Sequence, residues 1–278
     1  MADMDEYDLV IEAGKTRQQY WLDLWRYREL FLFMAWRDIL VRYKQTVIGV
    51  VWSVLRPLLV LVVFTVLFDK IARLPSEGDA PYPILVLAAL LPWQLFSGAL
   101  TESSNSLIIN AGMITKVYFP RVIMPASAII VCFVDFLISF VLLLLLMVWY
   151  HVVPGWHILA LPVFLALAVL SALGGGLWLS ALNVKYRDFR LIIPFIVQFG
   201  LYVSPVGFSS NVIPDKWRLL YSLNPMVGVI DGFRWSILGK AATIYWPGFL
   251  LSLVLCVVFF WAGFAYFRKA EKGFADVI

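Results

Sequence analysis

Six long apolar stretches, at about 47–68, 84–109, 122–150, 158–182, 191–208 and 244–267, limit what this chain can fold into. Each approaches the ~20 residues that a helix needs to cross a hydrocarbon core of ~30 Å. Backbone amides and carbonyls cannot go unpaired in hydrocarbon, so each stretch has to be a helix or part of one. The expected fold is an all-α membrane protein with six transmembrane helices. Only 14% of the 278 residues are charged and 62% are hydrophobic, against about 25% charged in a soluble domain. Cys132 and Cys256 each sit inside an apolar stretch and read as small packing residues, with neither a disulfide framework nor zinc spacing around them.

The placement of charge says more than its net value of +4. Asp3, Asp5, Glu6, Asp8 and Glu12 crowd the first twelve residues without a basic partner, which predicts an acidic flexible N-terminus over 1–17. No basic region leads at once into a short apolar run, so no removable signal peptide is expected. With the N-terminus inside, six of the 22 Lys and Arg residues fall outside, namely Lys70, Arg73, Lys216, Arg218, Arg234 and Lys240, and the other sixteen fall inside. The positive-inside rule then places both termini in the cytoplasm.

Residues 18–46 are read as a cytoplasmic interfacial amphipathic helix. Trp21, Trp25, Leu32, Trp36 and Ile39 share one narrow helical stripe, and Trp rings with Arg stems suit the membrane–water boundary. A soluble cap helix is the alternative. The transmembrane domain follows at 47–268, and 269–278 form a cytoplasmic tail. Gly14-Lys15-Thr16 echoes the end of a phosphate-binding loop, but Leu9 occupies the position where that loop needs glycine. ATP hydrolysis by this chain is therefore not expected.

The segment after Ser204-Pro205-Val206-Gly207 breaks the pattern. Its apolar run is interrupted by Asn224-Pro225 and carries Asp231 and Arg234. A seventh crossing would put the basic end Arg268, Lys269 and Lys272 outside, so 209–240 are read as a re-entrant helical pair between the fifth and sixth spans. Gly174-Gly175-Gly176 in the fourth span predicts close helix approach.

Charges within spans mark a polar pathway or a structural pair. Arg56, one turn from Trp52, reads equally as a snorkelling anchor or as a ligand for a phosphate. Glu102 sits among Thr101, Ser103, Ser104 and Asn105, so that face meets protein or water. Asp135 is expected to make an interhelical contact, because no chain of titratable groups accompanies it as a proton relay would require. Phe195, Gln198, Phe199 and Tyr202 fall at i, i+3, i+4 and i+7 on one helix face, which suits either ordinary packing or a sugar-stacking surface. His151 and His157 flank Pro154-Gly155 and read as loop residues. No catalytic residue and no metal-ligand set is expected.

Several strings in order carry a family resemblance: Trp36-Arg37-Asp38, then Arg42-Tyr43-Lys44-Gln45-Thr46 with Gly49 and Trp52, Leu91-Pro92-Trp93, and Lys116-Val117-Tyr118-Phe119-Pro120-Arg121. They continue with Asn183-Val184-Lys185-Tyr186-Arg187-Asp188, Ser204-Pro205-Val206, Leu223-Asn224-Pro225-Met226 and Gly232-Phe233-Arg234-Trp235. Over about 30–240 the chain resembles the permease subunits of ABC-2 type transporters that export lipid-linked polysaccharides such as O-antigen.

The resemblance implies a bacterial inner-membrane protein that pairs with a second copy of itself and with two ATP-binding cassette subunits. ATP-Mg would bind those partners, leaving no cofactor in this chain, and nucleic acid has no place in the scheme. An undecaprenyl-diphosphate-linked polysaccharide would move outward between the two copies, along the first and fifth helices. Trp52, Arg56, Phe195, Gln198, Phe199 and Tyr202 become substrate-pathway candidates. Lys116, Val117, Tyr118, Phe119 and Arg121 become candidates for coupling to the ATPase. An ABC-2 permease for a drug or small lipid is the alternative, followed by a membrane-embedded carrier-lipid transferase.

Overall fold

The computed structural model describes residues 17–44, 47–73, 76–78, 80–186 and 188–274. The acidic segment up to Thr16, the Gly14-Lys15-Thr16 string, Gln45-Thr46, Arg187 and the last four residues lie outside the described residues. Among the described residues every regular element is helical. Two helices, α1 (Arg17–Arg26) and α2 (Arg28–Tyr43), stand where one interfacial helix was expected, with a turn at Tyr27 between them. α3 (Val47–Phe64) runs on through a π-helical segment, Thr65–Ile71. α4 (Tyr82–Ile109), a single turn α5 (Ala111–Ile114), α6 (Ile123–Trp149) and α7 (Leu161–Lys185) follow. Then come α8 (Phe189–Val203), α9 (Asp215–Tyr221), α10 (Pro225–Leu238) and α11 (Trp246–Ala270).

Five segments are long and apolar enough to cross a membrane: Val51–Ile71, Tyr82–Ile109, Ile123–Trp149, Trp156–Lys185 and Trp246–Gly273. The protein is a multi-pass membrane protein. The fifth expected span, 191–208, shortens to the 15-residue α8. At 1.5 Å per residue such a helix is only ~22 Å long, below the ~30 Å of a hydrocarbon core. The helix ends because Ser204 precedes Pro205 and takes an extended conformation, φ −84° and ψ 153°, which the proline ring favours over the α region.

α4 is the axis of the bundle. Ile84 to Leu91 are buried on every side, as a helix that is apolar all round should be. It packs against α6 and α7 above all, with α3 and α10 also against it. In hydrocarbon this contact gains nothing by leaving the solvent, since lipid tails are as apolar as leucine; close van der Waals fit holds the helices. The closest approach of backbone to backbone at a glycine is between α7 and α11. A Cβ on Gly263 would lie 2.0 Å from the Gly174 carbonyl oxygen, and one on Gly174 would lie 2.5 Å from the Phe260 Cα. Only glycine lets the two backbones approach this closely, so the expected role of the Gly174-Gly175-Gly176 run is met at Gly174.

A second apolar cluster forms at the end of the bundle that carries α1 and α2. It joins Tyr20, Met34, Ile114, Phe119, Phe264, Phe267 and Phe274. Outward from it, Trp25, Leu32, Phe33 and Trp36 remain between 61 and 71% exposed, leaving an apolar face that the other described residues do not cover. The other end is closed by α9 and α10, two helices broken at Asn224, whose side-chain oxygen accepts from the Met226 N–H at 3.0 Å. α10 is buried from Met226 to Arg234 among α4, α7 and α11. Arg234, counted among the basic residues on the outer side of the membrane, is completely buried. It donates to the carbonyls of Leu85 (3.1 Å), Phe208 (2.9 Å) and Val206 (3.0 Å), tying α10 to α4 and to the chain leaving α8.

Candidate functional site

The pathway candidates fall on two separate surfaces. Trp52 and Arg56 sit one turn apart on α3 and line a cavity of about 340 Å³ with Gln94, Ser97, Asp135 and Ser139. Asp135 anchors this cavity. Its carboxylate accepts from Ser53 Oγ at 2.9 Å, pairs with Arg42 at 3.0 Å, and also accepts from the Tyr43 hydroxyl. Burial first, and then the hydrogen bond to Asp135, push the Tyr43 phenol up to about 12, so at neutral pH it donates. The interhelical contact expected of Asp135 is present, and it joins α2, α3 and α6.

Arg42 also reaches Glu102 at 3.5 Å, which brings the two intramembrane carboxylates to one guanidinium. Below it, Arg37 donates to Asp38 and, at 2.9 Å, to Asn110 at the end of α4. Ser103, Ser104 and Asn105 meet α7: Ser103 lies against Gly176, and Asn183 donates to the Ser104 carbonyl at 3.1 Å and to Asn105 Oδ1 at 3.2 Å. Arg56 is exposed and makes no hydrogen bond or ion pair among the described residues.

The second surface is α8. Phe195 and Phe199 stack with ring centroids 6.2 Å apart and planes at 12°. Phe195, Phe199 and Tyr202 are 69, 59 and 62% exposed, and Gln198 is exposed beside them. The helix rests on Trp93 through Gly200, where a Cβ would come within 2.6 Å of the indole. Behind it lies an almost wholly apolar cavity of about 470 Å³, lined by Trp93, Phe96, Leu100, Gly175, Trp178 and Phe199 among others.

Among the described residues the two cavities share no lining residue. α3 packs on α4 and α6, whereas α8 packs on α4 and α7. The α4 residues on the Trp52 cavity, Gln94, Leu95, Ser97 and Gly98, and those behind α8, Trp93, Phe96 and Leu100, occupy roughly opposite faces of that helix.

The coupling candidates divide as well. Lys116, Val117 and Tyr118 are exposed after α5, whereas Phe119 is 4% exposed and belongs to the second apolar cluster. Arg121 is half-buried; its main-chain N–H donates to Glu271 Oε1 at 2.9 Å, and its guanidinium donates to the Glu271 carbonyl. Glu271 drew no attention in the sequence. Its one signal was an acid within the basic run Arg268–Lys272. His157 lies between Trp156 and Trp235, with ring centroids at 4.4 and 4.6 Å. Among the described residues no group of three or more His, Cys, Asp or Glu is placed to hold a metal ion.

The chain is 27% identical over 258 residues to the O-antigen export system permease protein RfbA of Myxococcus xanthus, covering 92% of this chain and 98% of that protein. An O-antigen export system permease protein RfbA of Klebsiella pneumoniae is 26% identical over 257 residues, covering 90% of this chain and 95% of its own. The polysialic acid transport protein KpsM of Escherichia coli is 23% identical over 244 residues, or 85% of this chain and 91% of KpsM. Residues 29–238 match the ABC-2 type transporter family, and with most of the membrane bundle inside that match the chain belongs to this family.

Proposed function

We propose that this protein is the membrane-spanning permease subunit of an ATP-driven exporter that moves a lipid-linked polysaccharide across a bacterial inner membrane. The likeness to O-antigen export permeases over nine-tenths of the chain carries the reading. Hydrolysis of ATP-Mg belongs to two separate ATP-binding subunits, and two copies of this chain form the conduit. Six crossings leave both termini in the cytoplasm, with α8 as a short fifth crossing completed by residues 204–208. α1 and α2 lie along the inner interface, and α9 and α10 form a re-entrant pair at the outer end.

The separation of the two candidate surfaces supports a paired arrangement. Because α3 and α8 flank different faces of α4, the aromatic stripe of one copy can oppose Trp52 and Arg56 only across a two-fold axis. A passage for sugar chains calls for flat apolar rings and scattered hydrogen bonds, since tight specific binding would arrest movement. Phe195, Phe199 and Tyr202, with Gln198, present such a surface. Arg56, uncommitted at the mouth of its cavity, is placed to meet an anionic carrier headgroup. Lys116, Val117 and Tyr118 form the exposed contact with the ATPase, and Phe119 and Arg121 hold that contact to the bundle.

The deciding experiment reconstitutes the chain with its ATP-binding subunit in proteoliposomes and follows ATP-dependent movement of a lipid-linked polysaccharide. Transport with stimulated hydrolysis is expected. Hydrolysis that ignores such carriers but responds to hydrophobic drugs would shift the assignment to a drug or small-lipid exporter.

A further inference from the structure

The carboxylate of Glu271 joins three segments that lie far apart in sequence. One oxygen accepts from the Arg121 main-chain N–H at 2.9 Å, and the other accepts from the Tyr20 hydroxyl at 3.4 Å. The Arg121 guanidinium returns to the Glu271 carbonyl and lies 5.7 Å from the Phe274 ring. Arg268, one turn back on α11, covers the Tyr20 ring at 3.9 Å. The Glu271 carboxylate is therefore the one group that touches the loop 115–121 and α1 at once from the end of α11.

The bond to the Arg121 main-chain N–H matters most. Rotation of the Arg121 side chain cannot release it, so the carboxylate fixes the backbone of the loop itself. Beneath it, Phe119, Phe267 and Phe274 are at most 4% exposed and form a packed seat. Charge-assisted hydrogen bonds over a packed apolar seat make a body that moves as a unit. Gly263 lies about one helical turn back along α11 from Phe267, where its backbone touches Gly174 of α7. α7 in turn flanks α8.

We infer that Glu271 is a positioning residue for transport: it makes the end of α11 and α1 follow the loop 115–121, so that a displacement of the loop reaches α7 and α8 through the Gly263–Gly174 contact. The inference rests on the exporter reading above and adds a route to it. Without the Glu271 carboxylate, the loop backbone would be held only through Phe119 in its apolar seat and the long, rotatable Arg121 side chain on the Glu271 carbonyl, so partner-driven movement of the loop would stay largely local.

The test measures polysaccharide exported per ATP hydrolysed by the reconstituted complex. Glu271→Ala is expected to keep hydrolysis near the wild-type rate while the ratio falls about tenfold, a factor typical of coupling between sites. Glu271→Gln, which keeps one acceptor oxygen for the Arg121 N–H, should recover part of it. Tyr20→Phe removes a single hydrogen bond and should lower the ratio less. A wild-type ratio in both Glu271→Ala and Tyr20→Phe overturns the inference, and so does a loss of hydrolysis and export in equal proportion, which a purely structural role gives. If Glu271→Ala fails to assemble, Glu271→Gln and Tyr20→Phe decide the matter on the same ratio. Hydrogen exchange on ATP addition separates this from the exporter reading, whatever the cargo. In wild type, the loop and the end of α11 should change protection together; in Glu271→Ala, the loop alone should change.

Discussion

Arg42 at the end of α2 pairs with Asp135 inside α6 at 3.0 Å, so a helix outside the bundle is tethered to a carboxylate within it. The same carboxylate takes hydrogen bonds from Tyr43 and Ser53. A carboxylate at that depth is tolerated because three donors from two other helices surround it.

Replacing Asp135 with Ala strips the shared acceptor from Arg42, Tyr43 and Ser53. Leaving such donors without it costs about 1–3 kcal/mol. Thermal unfolding in detergent should show that loss, and Arg42→Met combined with Asp135→Leu should cost less than the sum of the single changes, since with both members gone neither charge of this pair is stranded, and Glu102 loses its partner equally in the Arg42 single variant. Strict additivity would count against the tether.

Arg234 gives a larger effect. Its three carbonyl partners belong to α4 and to the chain leaving α8, and it is completely inaccessible. Arg234→Lys cannot reproduce the planar fork across the three carbonyls, while Arg234→Met removes the donor from all three, of which Val206 and Phe208 lie outside any helix. The expected losses are at least ~1–3 kcal/mol for Lys, with Met worse. Protease resistance of the 204–240 segment should fall in the same order.

Hydropathy read from the sequence located most of the bundle because a span is recorded as a contiguous run, which needs no partner to be visible. It overestimated α8, since Pro205, Val206, Gly207 and Phe208 continue the apolar run after the backbone has left the helix at Ser204. Asp135 stood out as a misplaced charge, but Arg42 lies on another helix, and no local period links the two. The burial of Arg234 was not legible, because its partners are main-chain carbonyls, which leave no trace in residue type. Glu271 stayed hidden because one acid among basic residues looks like an ordinary solvated tail. The aromatic stripe of α8 was legible from its spacing alone, whereas its exposure required the fold.

Gly263→Val tests the contact on which α7 and α11 depend. A side chain there meets the Gly174 carbonyl oxygen, 2.0 Å from the Cβ position, and backbone cannot yield as a flexible side chain does. Even Gly263→Ala should force the helices apart and cost about 1–3 kcal/mol, the usual penalty for overpacking. Gly273→Ala, with nothing within 4 Å of its Cβ position, is the matched control and should leave the melting temperature within a degree or two. Equal melting temperatures for the two variants would rule out a backbone contact.

Lys116→Glu and Arg121→Glu should part company. Lys116 is exposed, so reversing its charge leaves the bundle intact and weakens only an external contact. Arg121→Glu places a second carboxylate against Glu271 and disrupts the seat that holds the loop. The first variant should keep its melting temperature and lose binding of the ATP-binding subunit in a pull-down; the second should lose both. Two variants with identical profiles would mean that the 115–121 loop acts as a single unit without a division between contact and anchor.

The stripe on α8 separates conduction from packing by stability. Phe199 and Tyr202 are 59 and 62% exposed, so truncating them removes little internal contact and should change stability by no more than about 0.5 kcal/mol. A surface that sugar rings slide across loses its stacking platform in the same change, at about 0.5–1.5 kcal/mol for each aromatic contact. Phe199→Ala with Tyr202→Ala should therefore leave the melting temperature nearly unchanged and lower export, most severely for long chains that occupy the whole passage. Leu143→Ala, at a fully buried position on α6, should do the reverse, destabilising by about 2–5 kcal/mol. Should the double variant on α8 melt early and export normally, the stripe belongs to an interface between helices and not to the route of the polymer.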